Sequence, residues 1–123
     1  MIKITQLHHA SLLVGNLYAS RRFYEGVLGL LPSAQRPDLA VDGVWYELGN
    51  AQLHLIHDAH AIPRGSSELH AGRDKHIALG VANIAAVKLA LEAAAIPFTI
   101  SRSGRRALFC RDPDGNGLEF VES

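Results

Sequence analysis

HIALGVANI, at 76–84, repeats the pattern of HASLLVGNL, at 9–17. His9 aligns with His76, Leu12 with Leu79, Val14 with Val81, Asn16 with Asn83 and Leu17 with Ile84. Each stretch is an alternating, strand-like run that ends on an asparagine. A short side-chain oxygen at that position caps a helix, by accepting a free amide of its first turn. Beyond Asn16, residues Phe23, Tyr24, Val27 and Leu28 share one side of a predicted helix that stops at Gly29. Beyond Asn83, residues Ile84, Val87, Leu91 and Ala95 recur at helical spacing, up to Pro97.

Three strand-like runs follow each helix. In the first half they are 30–35, 44–48 and 52–57, and in the second 98–101, 107–110 and 118–122. Turn residues separate them, among them Asp42-Gly43, Gly49-Asn50, Ser103-Gly104 and the run Asp112-Pro113-Asp114-Gly115. The plan is strand, helix, strand, strand, strand, used twice. It predicts an α+β domain of two βαβββ modules, 1–58 and 74–123, joined by a linker over 59–73 that carries Pro63, Gly65, Ser66, Ser67 and Gly72.

Composition agrees with one packed domain. The 123 residues are 48% hydrophobic and 20% charged, and twelve basic residues balance twelve acidic ones. That balance argues against a nucleic-acid or membrane-surface partner. The opening residues MIKITQLHH lack the apolar core of a signal peptide, and no apolar run is long enough for a membrane span. The expected location is cytoplasmic. Cys110 is the single cysteine and reads as a small buried apolar residue.

Strand periodicity sorts the polar residues. His9 shares a face with Ser11, opposite Ala10, Leu12 and Val14, and His76 lies opposite Ile77, Leu79 and Val81. The last strands also align, QLHLIH (52–57) with GLEFVE (117–122), which sets His54 against Glu119. If the apolar faces pack on the helices, His9, His54, His76 and Glu119 all point the other way, and curved sheets would bring them into one cavity. Three imidazoles and a carboxylate there are costly without a partner, and a divalent metal satisfies them together. The donors suit zinc, nickel, manganese or iron.

The segments LHHASLLVGNLYASRRFYEGVLGL (7–30), KHIALGVANI (75–84) and FCRDPDGNGLEF (109–120) resemble the vicinal oxygen chelate superfamily. That superfamily includes glyoxalase I, extradiol dioxygenases and bleomycin-resistance proteins. The resemblance implies paired βαβββ modules forming a cupped sheet around one metal, often as a homodimer, with ligands at His9, His54, His76 and Glu119. It also implies a small-molecule substrate that chelates the metal through neighbouring oxygens, and an isomerase or lyase reaction with Glu119 as base. His54 departs from bacterial glyoxalases, which typically carry glutamate there. A metal-free binding protein and a non-haem iron dioxygenase using His9, His76 and Glu119 are the alternatives.

Substrate contacts are expected from Ser11, Phe109, Arg102 and Arg105. The two arginines lie in SRSGRR (101–106), where forked guanidinium contacts suit a carboxylate or phosphate. His57 falls on the strand face opposite His54, His60 and His70 fall in the linker, and His8 falls on the face opposite His9. These four are expected to stay outside the ligand set, with His70 reaching the pocket only on a lid. The DPDG run is read as a turn former.

Overall fold

The computed structural model describes residues 1–61 and 68–123. The linker residues Ile62, Pro63, Arg64, Gly65, Ser66 and Ser67 lie outside that description. The first unit contains β1 (His9–Val14), α1 (Leu17–Arg21), β2 (Gly43–Leu48) and β3 (Ala51–His57). The second contains β4 (His76–Val81), α2 (Ile84–Ala93), β5 (Phe98–Ile100), β6 (Ala107–Arg111) and β7 (Gly117–Glu122).

The internal repeat is visible in the pairing. In the first sheet, ordered β1-β3-β2, β3 runs parallel to β1 and antiparallel to β2. In the second, ordered β4-β7-β6-β5, β7 runs parallel to β4 and antiparallel to β6. The last strand of each unit is therefore flanked on both edges, and each first strand keeps one edge unpaired among the described residues. The two sheets share no ladder among the described residues.

Both asparagine caps form. Asn16 Oδ1 accepts from the Ala19 amide at 3.0 Å and Asn83 Oδ1 from the Ala86 amide at 3.2 Å. The first helix continues into a π-helical turn, Arg22–Val27, in which the Leu28 amide reaches the Phe23 carbonyl at 3.0 Å. Gly29 then turns left-handed at φ 78°, and the Leu30 amide bonds the Tyr24 carbonyl, closing the helix end.

Two elements differ from expectation. The run 30–35 is no strand; it is reduced to a single bridge between Pro32 and Tyr46. Proline has no amide to donate, so a ladder centred on it cannot propagate. The second helix ends at Ala93 rather than running to Pro97, because Ala95 takes up a left-handed φ of 57°.

One core joins the units. Val14, Tyr24, Tyr46, Leu53 and Leu55 pack with Leu91, Leu108, Cys110, Leu118 and Phe120, all almost without exposure. The Asp112–Asn116 turn plugs into the first unit. The buried Tyr24 hydroxyl donates to Asp112 Oδ2 at 2.7 Å, and the Gly15 amide donates to Asp114 Oδ1 at 2.9 Å. Among the described residues no helix is long and apolar enough to cross a membrane.

Candidate metal and substrate site

The first half of the candidate site is an aromatic stack on the first sheet. Trp45 lies directly opposite His54 in register, and their rings stack 4.0 Å apart and 3° from parallel. His9 covers the other face of His54 at 4.2 Å. Sandwiched this way, His54 is 7% exposed although it sits on the polar face of its strand. A relay of side chains fixes its proton. Glu47 accepts from Ser33 Oγ and from Gln52 Nε2, so Gln52 turns its Oε1 to His54 Nε2 at 2.8 Å. Nε2 therefore donates, and Nδ1 keeps the lone pair. Burial, and then the nearby His9, His8 and Arg36, push the His54 pKa below its ordinary value. An imidazole held neutral is the form that binds metals.

The second half lies on the second sheet. Glu119 is 3% exposed at the centre of β7. His76 Nε2 lies 3.1 Å from its Oε1, and Arg105 Nη2 donates to its Oε2 at 2.8 Å. His76 Nδ1 faces the Asp74 carbonyl at 2.9 Å, and a carbonyl only accepts, so Nδ1 carries hydrogen. Asp74 is itself held by Arg111 at 3.0 Å. His76 Nε2 and Glu119 Oε1 are then two lone-pair atoms in contact, and the geometry calls for a cation between them, a proton or a metal. The backbone bond at Nδ1 is the outer support commonly found behind metal-ligating histidines.

A cross-strand row continues this face. Thr99, Phe109 and Glu119 are successive register partners. Phe109 meets His76 edge-on at 5.3 Å and His70 at 4.8 Å, and His70 Nδ1 lies 2.5 Å from Thr99 Oγ1. Gly72 permits this position, since a Cβ there would stand 2.7 Å from His70 Nε2.

The four expected ligands thus appear as two pairs, His9 with His54 and His76 with Glu119, one pair on each sheet. Among the described residues no group of three or more histidine, cysteine, aspartate or glutamate side chains is arranged around one point within the chain. The donors in each pair fit a divalent ion; one chain alone does not bring all four together. Arg105 reaches Glu119, whereas Arg102 is exposed and makes no hydrogen bond among the described residues. Ser11 lies opposite His54 in register and lines an open cleft of about 570 Å³ with Asp58, His60, Asp114 and Asn116. The DPDG run is a turn as read: Asp112 Oδ1 accepts from the amides of Asp114 and Asn116.

Sequence reasoning passed over several groups. His8, assigned to the far face, lies in the chain before β1 and brings its Nδ1 within 2.8 Å of His9 Nδ1. His70 belongs to the linker by sequence and meets the Phe109 face in space. By sequence Trp45 suits core and pocket wall equally well; the signal that sets it in the site is its position directly across β2 and β3 from His54.

The family model of the Glyoxalase/Bleomycin resistance protein/Dioxygenase superfamily matches residues 6–120. Glyoxylase I 4 of Arabidopsis thaliana is 26% identical over 126 residues, covering 97% of this chain and 71% of the plant protein. Among solved structures, a protein assigned to the glyoxalase family in Bacillus anthracis superposes with a TM-score of 0.78 at 23% identity, over 100% of this chain and 98% of that one. Lactoylglutathione lyase from Agrobacterium tumefaciens superposes with a TM-score of 0.69 at 24% identity, over 98% and 96%. At these identities the structural likenesses show a common fold.

Proposed function

The chain belongs to the Glyoxalase/Bleomycin resistance protein/Dioxygenase superfamily, and from that premise we propose that it is a metal-dependent enzyme of the glyoxalase type, catalysing proton transfer in a small substrate. His9, His54, His76 and Glu119 would hold one zinc, nickel, manganese or iron ion. Bound there, the ion supplies Lewis-acid polarisation of two neighbouring substrate oxygens. The observation that carries the reading is the His76–Glu119 contact, two lone-pair atoms placed for a cation, the glutamate buried and the histidine at the rim.

The chain's own residues divide the remaining work. Glu119 takes the proton from the carbon beside the substrate carbonyl and returns it to the neighbouring position. Arg105 binds an anionic substrate group, Phe109 excludes water from the second-sheet face, and Ser11 contacts substrate on the first-sheet side. The relay through Gln52 and Glu47 keeps His54 in one tautomer.

Because each pair sits on its own sheet, a homodimer completes the site. The free edges of β1 and β4 let the first unit of one copy meet the second unit of another.

The test is metal analysis of untagged protein beside a His9→Ala/His76→Ala variant. Roughly one transition metal per chain, lost in the variant, supports the site. Glu119→Gln, loaded with excess metal, should lose the exchange of solvent deuterium into small 2-hydroxy ketones, followed by NMR. A protein that takes up none of the four metals, with its fold intact, would overturn the enzyme reading in favour of a metal-free binding protein.

A further inference from the structure

We propose that Arg105 is an exchangeable counter-ion of Glu119, which it holds while the metal is absent and leaves for an anionic substrate group once the metal is bound. The inference rests on the metal-enzyme reading above and adds an order of events to it: metal first, then an anionic substrate.

Three observations on these residues carry it. First, Glu119 is almost fully buried and both its oxygens are engaged, Oε1 by His76 and Oε2 by Arg105. A buried carboxylate is strongly unfavourable without a cation or a proton, and in this structure the cation beside it is Arg105. Second, the Arg105 side chain is 58% exposed while that of Glu119 is 4% exposed. The guanidinium therefore reaches down from the rim and is not part of the buried layer. Third, its base is the hairpin tip beyond β5, where Gly104 takes a φ of 83° and Arg105 Nε donates to Ser103 Oγ at 3.1 Å. Its tie to the sheet face is Glu119, so it can swing without moving a strand.

The electrostatics give the exchange its direction. A divalent ion accepting Glu119 neutralises the carboxylate and sets a second positive charge beside the guanidinium. The attraction that held Arg105 becomes a repulsion, and the freed fork seeks another anion. A substrate that carries a carboxylate beside its chelating oxygens, a small 2-oxo acid for example, supplies one at that position. Arg106 does not share this arrangement: it pairs with Glu122, a partly exposed carboxylate that also caps the Ile84 amide.

The experiment is a titration of the metal-free full chain with Ni²⁺ by calorimetry, in wild type, Arg105→Gln, Arg105→Lys, Glu119→Gln and the Arg105→Gln/Glu119→Gln double variant. Arg105→Gln should bind nickel at least about fivefold more tightly than wild type, because the ion no longer displaces a resident cation. Arg105→Lys, which keeps the charge, should fall between them. In the Glu119→Gln background the Arg105 substitution should change nothing. Pyruvate then serves as the anionic probe. It should bind nickel-loaded wild type at least about fivefold more tightly than loaded Arg105→Gln, with no difference between the two when metal-free. Unchanged or weaker nickel binding in Arg105→Gln overturns the exchange, as does equal tightening with and without Glu119. A pyruvate difference present in the metal-free proteins also overturns it, since Arg105 would then be a grip that is always free. Wild type that takes up no nickel or other metal overturns the underlying reading as well, which keeps the two failures distinct.

Discussion

Tyr24 carries a consequence well away from the candidate site. Its hydroxyl is fully buried and donates to Asp112, whose other hydrogen bonds come from Asn116 and from the amide of Asp114. Burial pushes the Asp112 carboxyl above its ordinary range, and these hydrogen bonds pull it back. Tyr24→Phe keeps the ring and deletes one donor, leaving a buried oxygen of Asp112 short of a partner. Such a loss costs about 1–3 kcal/mol. The urea midpoint of Tyr24→Phe should fall accordingly with its slope unchanged, and an unaltered midpoint would show that the contact contributes nothing to holding the two units together. At this scale the sequence is a partial guide. His9, His54, His76 and Glu119 stand out because strand periodicity places each on the polar face of its strand. Tyr24 gave no such sign, since the periodicity that puts it on the buried side of a helix does not reveal that its hydroxyl meets a turn 88 residues away.

Local chemistry made the helix starts legible and the helix ends less so. Asn16 and Asn83 were readable as caps because capping needs one side chain and one nearby amide. Replacing either by alanine should cost about 1 kcal/mol, seen as a lower unfolding midpoint. The end of α2 is a different case. Pro97 marks a limit the helix cannot pass, but the chain leaves the helix earlier, through a left-handed Ala95. An alanine there costs about 1–2 kcal/mol relative to a right-handed conformation. Glycine removes that cost and gives back about 0.5–1 kcal/mol in backbone entropy. Ala95→Gly should therefore stabilise the protein slightly, by up to about 1 kcal/mol, whereas a glycine placed at Ala90, inside the helix, should destabilise it by a similar amount. A loss of stability in Ala95→Gly would contradict the left-handed turn. The run 30–35 misleads for a related reason: its leucines give it the composition of a strand, and Pro32 removes the amide that a ladder requires.

The whole molecule shows the two-module plan clearly, because a repeat of strand, helix and three strands is written into the spacing of the chain. How the two halves of the site meet is not written there. Alignment shows that each module offers two donors, yet the same four residues serve one chain folded on itself or two chains sharing modules, and the periodicity of the strands is identical in both. The pairs lie on sheets that share no ladder among the described residues, each with an unpaired edge at its first strand, an arrangement compatible with either. Complementation tests the shared arrangement. One variant, His9→Ala/His54→Ala, disables the first unit; the other, His76→Ala/Glu119→Gln, disables the second. Co-expressed with different tags, they yield mixed dimers by sequential affinity purification. In a dimer whose sites are shared, one site collects all the substitutions and the other collects none. The mixed dimer should then bind about one nickel ion where the wild-type dimer binds about two, and each parent dimer should bind none. If every site is built within a single chain, the mixed dimer carries one damaged half in each site and binds no nickel, and the dimeric completion proposed for the site fails.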